Sequence, residues 1–190
     1  MLKLDILAFG AHPDDVELGC AGTLLGAIAE GKKVGVIDLT KGELGTRGSI
    51  SQRLSEAQLA SEVMGLTIRE NLEMADGFFI NNKEHQLIII ETIRRFQPSI
   101  IFCNAPEDRH PDHGRAASLI EEAAFLSGLE KIKTSHEGIA QEAWRPTQVF
   151  HYIQSRSLTP HFVVDISKHI EKKMEAILAH SSQFYDPKSN

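Results

Sequence analysis

Apolar and polar positions along the chain change period in a regular way. Leu4-Asp5-Ile6-Leu7-Ala8-Phe9-Gly10 is a short, nearly continuous apolar run, the pattern of a buried strand. After a polar break, Val16, Leu18, Ala21, Leu24, Leu25 and Ile28 recur at helical spacing. Gly31 then supplies a helix stop, and Val34 to Leu39 forms a second strand rich in β-branched residues. Strand, helix, strand in so short a stretch is a βαβ unit, which the handedness of crossovers makes a parallel pair.

The alternation continues. Lys41 to Gly48 is polar and glycine-spaced, a loop leading to a helix capped by Ser49 or Ser51 and running to about Met64. A weak strand, Ile68 to Met74, ends before an Asp76-Gly77 turn. An amphipathic helix from about Lys83 to Phe96 stops at Pro98, and Ser99 to Cys103 is a short apolar strand. Asn104 to His113 is too polar and proline-rich for either element and reads as a loop at a strand's carboxyl end. The pattern predicts a helix from Gly114 to about Leu126, a polar connection, strands at Thr147 to Ile153 and Phe162 to Ile166, and a last helix starting near Ser167. These elements predict an α/β fold in a single domain over residues 1–190. It is Rossmann-like, a three-layer α/β/α sandwich with a mostly parallel sheet and a ligand crevice outside the carboxyl ends of the strands.

Composition narrows the partners. With 42% hydrophobic and 24% charged residues the chain is globular, and a net charge of -6 supplies no attraction for nucleic acid. No apolar run approaches the roughly 20 residues of a membrane span, and the apolar start lacks the flanks of a cleaved leader. Cys20 and Cys103 each sit in an apolar stretch, far apart, and read as packing residues suited to a reducing cytoplasm.

The loop after the first strand is where a dinucleotide fold carries its glycine fingerprint, but here it reads Ala11-His12-Pro13-Asp14-Asp15-Val16-Glu17-Leu18-Gly19. An imidazole and three carboxylates suit a cation and not a pyrophosphate. His12 and Asp15, three apart, share a face if the chain enters its helix there. Proline and acids also open helices for dipole reasons, which accounts for the carboxylates but not for His12. A second cluster, His110-Pro111-Asp112-His113, also follows a strand and precedes a helix. Carboxyl ends of neighbouring parallel strands share one edge, so the two clusters are expected to converge. Together they offer the three protein ligands of a catalytic zinc site. Arg47 and Arg109 flank these loops, where they can hold an acidic substituent bidentately or stand as ordinary surface charges. The remaining histidines, His85, His136, His151, His161, His169 and His180, have no ligand spacing and read mostly as surface or strand-end residues.

Ala-His-Pro-Asp-Asp-Val-Glu-Leu-Gly and His-Pro-Asp-His together resemble the motifs of the LmbE-like, or PIG-L, family of zinc deacetylases, over nearly the whole chain. Thr40 to Gly48 and Asp108 to His113 also resemble loops of the bacillithiol-biosynthesis deacetylases. The resemblance implies that His12, Asp15 and His113 hold Zn2+, or another divalent metal such as Fe2+, and that Asp14 is the general base. It further implies that His110 faces the substrate carbonyl as an imidazolium oriented by Asp112, and that Arg53 and Asp76 hold sugar hydroxyls. The implied reaction is hydrolysis of the N-acetyl group of an N-acetylglucosamine conjugate, first the malate conjugate and alternatively chitooligosaccharides. A non-catalytic sugar-binding domain clipped by a metal is the competing class. The implied protein is a cytoplasmic trimer or hexamer, and family members run on by several tens of residues past the region matching Ser182-Gln183-Phe184-Tyr185.

Overall fold

Five strands form one sheet: β1 (Ile6–Gly10), β2 (Val34–Thr40), β3 (Ile68–Met74), β4 (Ile100–Asn104) and, near the end of the chain, Gln148–Tyr152. In this computed structural model, which describes residues 2–184 and so leaves Tyr185 outside, every pairing is parallel. The helices α1 (Asp15–Gly19), α2 (Ala21–Ala29), α3 (Ile50–Met64), α4 (Lys83–Phe96) and α5 (Pro111–Leu126) connect the first four strands and the region beyond. A two-residue pair, β5 (Ser135–His136) and β6 (Ile139–Ala140), precedes β7, the Gln148–Tyr152 strand, and the chain ends in α6 (Ile170–Ala179) and α7 (Ser181–Phe184).

The strand order is β3-β2-β1-β4-β7. From β1 the chain steps outward to β2 and β3, then crosses back to β4 on the other side of β1. A crevice therefore opens between the carboxyl ends of β1 and β4. The strands are continuous apolar runs because both faces are covered. Leu7, Phe9, Ile37, Leu39 and Ile101 pack on Ile89, Ile93, Leu119 and Ile120 of α4 and α5. Ile6, Ala8, Val34 and Val36 pack on Leu24, Leu25, Met64 and Ala176 of α2, α3 and α6. This is the expected three-layer sandwich.

Four local expectations differ. The helix after β1 breaks at Cys20, whose φ of -137 is not helical, where Gly19 lies so close to Tyr152 that a Cβ would stand 2.2 Å from the ring. Helix α5 starts at Pro111, three residues before Gly114, because His110 caps it and proline suits the first helical position. The polar connection contains the β5–β6 hairpin, whose turn residues Glu137 and Gly138 both have positive φ, the geometry of a type I′ turn. Phe162 to Ile166 is not a strand. Phe162 stands edge-on to Phe150 and Ile166 lies over Gly22 of α2, while Val163 and Val164 between them stay exposed, so tertiary context overrides propensity.

Candidate metal centre

Both His/Asp loops emerge at the crevice between β1 and β4. Gly10 ends β1 with a Cβ direction only 3.0 Å from His12 O and 3.2 Å from Asp15 Cβ, so a side chain there would push the loop outward. Asp14 is held at φ 109, ψ -24, a region that costs a non-glycine residue strain. The turn is tied by Asp15 N to His12 O, by Leu18 N to Asp14 O, and by Arg53 NH2 to Pro13 O at 3.0 Å.

From the second loop, His113 on the first turn of α5 places Nε2 3.2 Å from Asp15 Oδ1. Its Nδ1 is 2.6 Å from Asp108 Oδ2. His12 places Nδ1 3.6 Å from Asp15 Oδ2, and its Nε2 lies 3.1 Å from Asp76 Oδ1 and 3.3 Å from Asp112 Oδ2. Asp15 also accepts from His12 N, Asn104 Nδ2 and Gln154 Nε2. Donor atoms of His12, His110 and His113 all lie within 4.8 Å of one another, and so do those of His12, Asp76 and Asp112.

The charges identify what such a site accepts. Asp14, Asp15, Asp76 and Asp112 crowd one imidazole pair, against the guanidinium of Arg53 at 3.6 Å from Asp14 and that of Arg115 at 2.7 Å from Asp112. Burial works to lower the His12 pKa, but Asp112, Asp15 and Asp76 raise it to about 12. His113 is also raised, by Asp15 and Asp108 against burial. Asp15 is driven well below the carboxylate range, since His113 and His12 outweigh its burial. A carboxylate-rich pocket that draws protons onto its histidines is one a divalent cation fits. Asp14 stands apart: burial and the Asp15 charge raise it to about 7 against Arg53.

His12, Asp15 and His113 lie together with Asp14 and His110 beside them, although neither group of mutually close ligand atoms includes Asp15, and several other side chains take different partners. Asp112 was expected to orient His110. Its carboxylate instead accepts from His12, Gly77 N and Arg115, and it meets His110 only through its backbone N–H, 3.2 Å from Nδ1. That cap occupies the Nδ1 lone pair, so a neutral His110 carries its proton on Nε2. Burial and the nearby His12 charge work to lower its pKa, while Asp112 and Asp15 work to raise it.

Asp76, expected on a sugar hydroxyl, is spent on His12 and Leu44 N. Arg53 turns inward, bonding Gly42 O and Pro13 O. Gly42 leaves room for it, since a Cβ there would fall 1.9 Å from NH1. Arg109 is exposed, and Arg47 donates to Gln183 O.

Three residues that hold Asp15 and His113 in place went unread in the sequence. Asp108 is fixed by the N–H groups of Arg109, Ser155 and Arg156 and in turn orients His113. Its carboxylate lay in the second loop and was the one available signal. Asn104 and Gln154 carry no spacing signal, because they reach Asp15 from β4 and from the segment after β7. A carboxylate behind a ligating histidine fixes its tautomer and strengthens it. Asp108→Asn is therefore expected to weaken metal binding by about 10–100-fold in a chelator competition titration; wild-type affinity would remove the role.

The fold recurs in known proteins. The family model PIG-L, described as GlcNAc-PI de-N-acetylase, matches residues 7–124. The chain belongs to the PIG-L family. It is 30% identical to a diacetylchitobiose deacetylase of Thermococcus kodakarensis, over 94% of this chain and 70% of the relative. A protein of Bacillus anthracis named "Probable N-acetyl-alpha-D-glucosaminyl L-malate deacetylase 2" is 26% identical over 94% of this chain and 81% of its own length. The crystal structure of a conserved protein from Thermus thermophilus superposes with a TM-score of 0.88 at 40% identity, covering 95% of this chain and 80% of that one. The chain is thus an enzyme of a deacetylase family with the LmbE-like α/β fold. The bacillithiol likeness is the weaker one, since the chitobiose enzyme is the more similar of the two named relatives.

Proposed function

We propose that this protein removes the acetyl group from an N-acetylglucosamine unit, with His12, Asp15 and His113 holding a divalent ion, Zn2+ first among them. The observation that carries this reading is the meeting of the two loops, where His113 Nε2 lies 3.2 Å from Asp15 Oδ1 with Asp14 alongside and unneeded as a ligand. When bound, such an ion lowers the pKa of water toward about 7 and polarises the amide carbonyl.

The chain's own residues supply the rest. His12 is aimed by Asp76 and Asp112, which take its Nε2 proton and leave Nδ1 facing Asp15. Asp14, at about 7, accepts a proton from the attacking water and returns one to the leaving amine. His110 donates Nε2–H to the acetyl oxygen as negative charge develops there. Exposed Arg109, beside His110 in the second loop, would meet an acidic group on the far end of the substrate, while Arg47 is engaged by Gln183 O.

Diacetylchitobiose is the first substrate to test, on the identity of the relatives, and the malate conjugate the second. The test is amine release by the metal-loaded enzyme from N-acetylglucosamine, diacetylchitobiose, N-acetylglucosaminyl malate and the inositol conjugate. Preference for diacetylchitobiose supports a chitooligosaccharide role and preference for the malate conjugate a thiol pathway. No release from any of the four would sink the reading.

No helix among the described residues is long and apolar enough to cross a membrane. We place the enzyme in the cytoplasm, where its two buried free cysteines suit a reducing environment. A trimer or hexamer is the expected assembly, and light scattering of the full chain measures it.

A further inference from the structure

Behind the metal centre, on the face of the sheet covered by α3 and α6, lies a second group of charges that no step above uses. Glu17 of α1 and His180 at the end of α6 are both fully buried, with His180 Nε2 3.3 Å from Glu17 Oε1. Arg69 of β3 reaches the same Glu17 oxygen and grips Asp38 of β2 with Nε and NH2 at 2.8 and 2.9 Å. As a stabilising device the group is imperfect. Glu17 Oε2 and both His180 ring nitrogens make no hydrogen bond among the described residues, so His180 and Glu17 meet as a close polar contact without one. Buried charges left partly unsatisfied contribute little net stability, and each one calls for another explanation.

The explanation lies in what this pair joins. Glu17 is three residues after Asp14, in the short helix that Asp14 precedes as the N-cap residue. Asp14 is in the strained φ 109 conformation, which persists only where surrounding contacts over-determine it. On the other side, His180 begins a strap. Ser181 Oγ, Ser182 N and Ser182 Oγ all donate to Glu56 of α3, and Gln183 Nε2 donates to Arg47 O in the 41–48 loop. Ser182 closes over Gly48, where a Cβ would stand 2.6 Å from its Oγ. The same loop provides Gly42 O for Arg53 and Leu44 N for Asp76. One end of the strap thus touches the helix that presents Asp14, and the rest touches the loop that backs Arg53 and Asp76.

We propose that His180 is a positioning residue for amide hydrolysis, acting through Glu17 to hold the first turn of α1 so that the Asp14 carboxylate faces the reacting water. The proposal rests on Asp14 as the base. It predicts a defect in kcat and not in ground-state binding, because the misplaced group meets the substrate only as the water is activated.

The experiment uses the full chain, metal-loaded, with N-acetylglucosamine and diacetylchitobiose as probes, comparing His180→Leu, His180→Gln, Glu17→Gln and Asp14→Asn. His180→Leu should lose roughly tenfold or more in kcat, with KM and bound metal near wild type, and His180→Gln should recover part of the loss. If His180→Leu does not fold, His180→Gln and Glu17→Gln carry the same comparison from the two sides of the pair. A purely structural role would lower the unfolding temperature and leave kcat per folded molecule unchanged, and that result in the folded variants overturns the proposal. An active Asp14→Asn protein overturns the base assignment itself. An inactive Asp14→Asn beside fully active His180 and Glu17 variants overturns only this inference.

Discussion

Asp14→Asn is expected to lower kcat for amide hydrolysis by about 10²–10⁴-fold, the usual loss when a positioned proton acceptor is removed. Metal content should stay at the wild-type level, because the proposed ligands are Asp15 and the two histidines. The substitution is nearly isosteric, so the strained turn and its contact with Arg53 have little reason to move. What changes is basicity. Burial and the Asp15 charge keep the Asp14 carboxyl at about 7, poised to take and return a proton near neutrality, and an amide cannot do either. Steady-state rates together with metal analysis check this, and retention of full activity with bound metal would remove Asp14 from the mechanism. His113→Ala is the complementary case: there the metal itself should be lost.

The second large effect is on stability. Arg69→Met is expected to destabilise the fold by about 3–5 kcal/mol at neutral pH, the penalty for stranding buried charge when one partner of an ion pair is removed. The Arg69 side chain is 4% exposed and is bound to Glu17 and Asp38, both essentially buried. Burial works to raise the Glu17 pKa, but Arg69 and His180 bring it down to about 2 from an ordinary 4.5. A carboxyl lowered on folding contributes stability that is complete above its unfolded pKa and fades as pH falls toward the folded one. The variant lacks that contribution, and protonation relieves its stranded carboxylates. The gap between the two proteins should therefore narrow below about pH 4.5. Urea unfolding at pH 7 and pH 4 reads both quantities. An undiminished gap at pH 4 would assign the loss to packing and not to charge.

Much of the fold was legible because parallel strands covered on both faces must be continuous apolar runs, and β1, β2 and β4 are such runs. Phe162 to Ile166 misled for the same reason. Its residues favour a strand, but among the described residues the sheet ends at β7, and only Phe162 and Ile166 find partners, Phe150 and Gly22, while Val163 and Val164 stay exposed. His180 misled in the opposite way. One histidine without ligand spacing reads as a surface residue, whereas the contact of α6 with α1 and α3 buries it completely.

The local chemistry belongs to the sequence itself. The order of strands and helices, the two His/Asp loops at strand ends, and the separation of Asp14 from its neighbours all follow from residues close together in the chain, where spacing and turn propensity decide the outcome. The partners of those residues belong to the tertiary structure. Asp76 and Asp112 turn to His12, Asp108 stands behind His113, Asn104 and Gln154 fix Asp15, and Arg53 faces inward, because the strand order brings segments a hundred residues apart to one crevice. Hydrogen bonds between side chains depend on distances of a few tenths of an ångström, and only the packed sheet sets those.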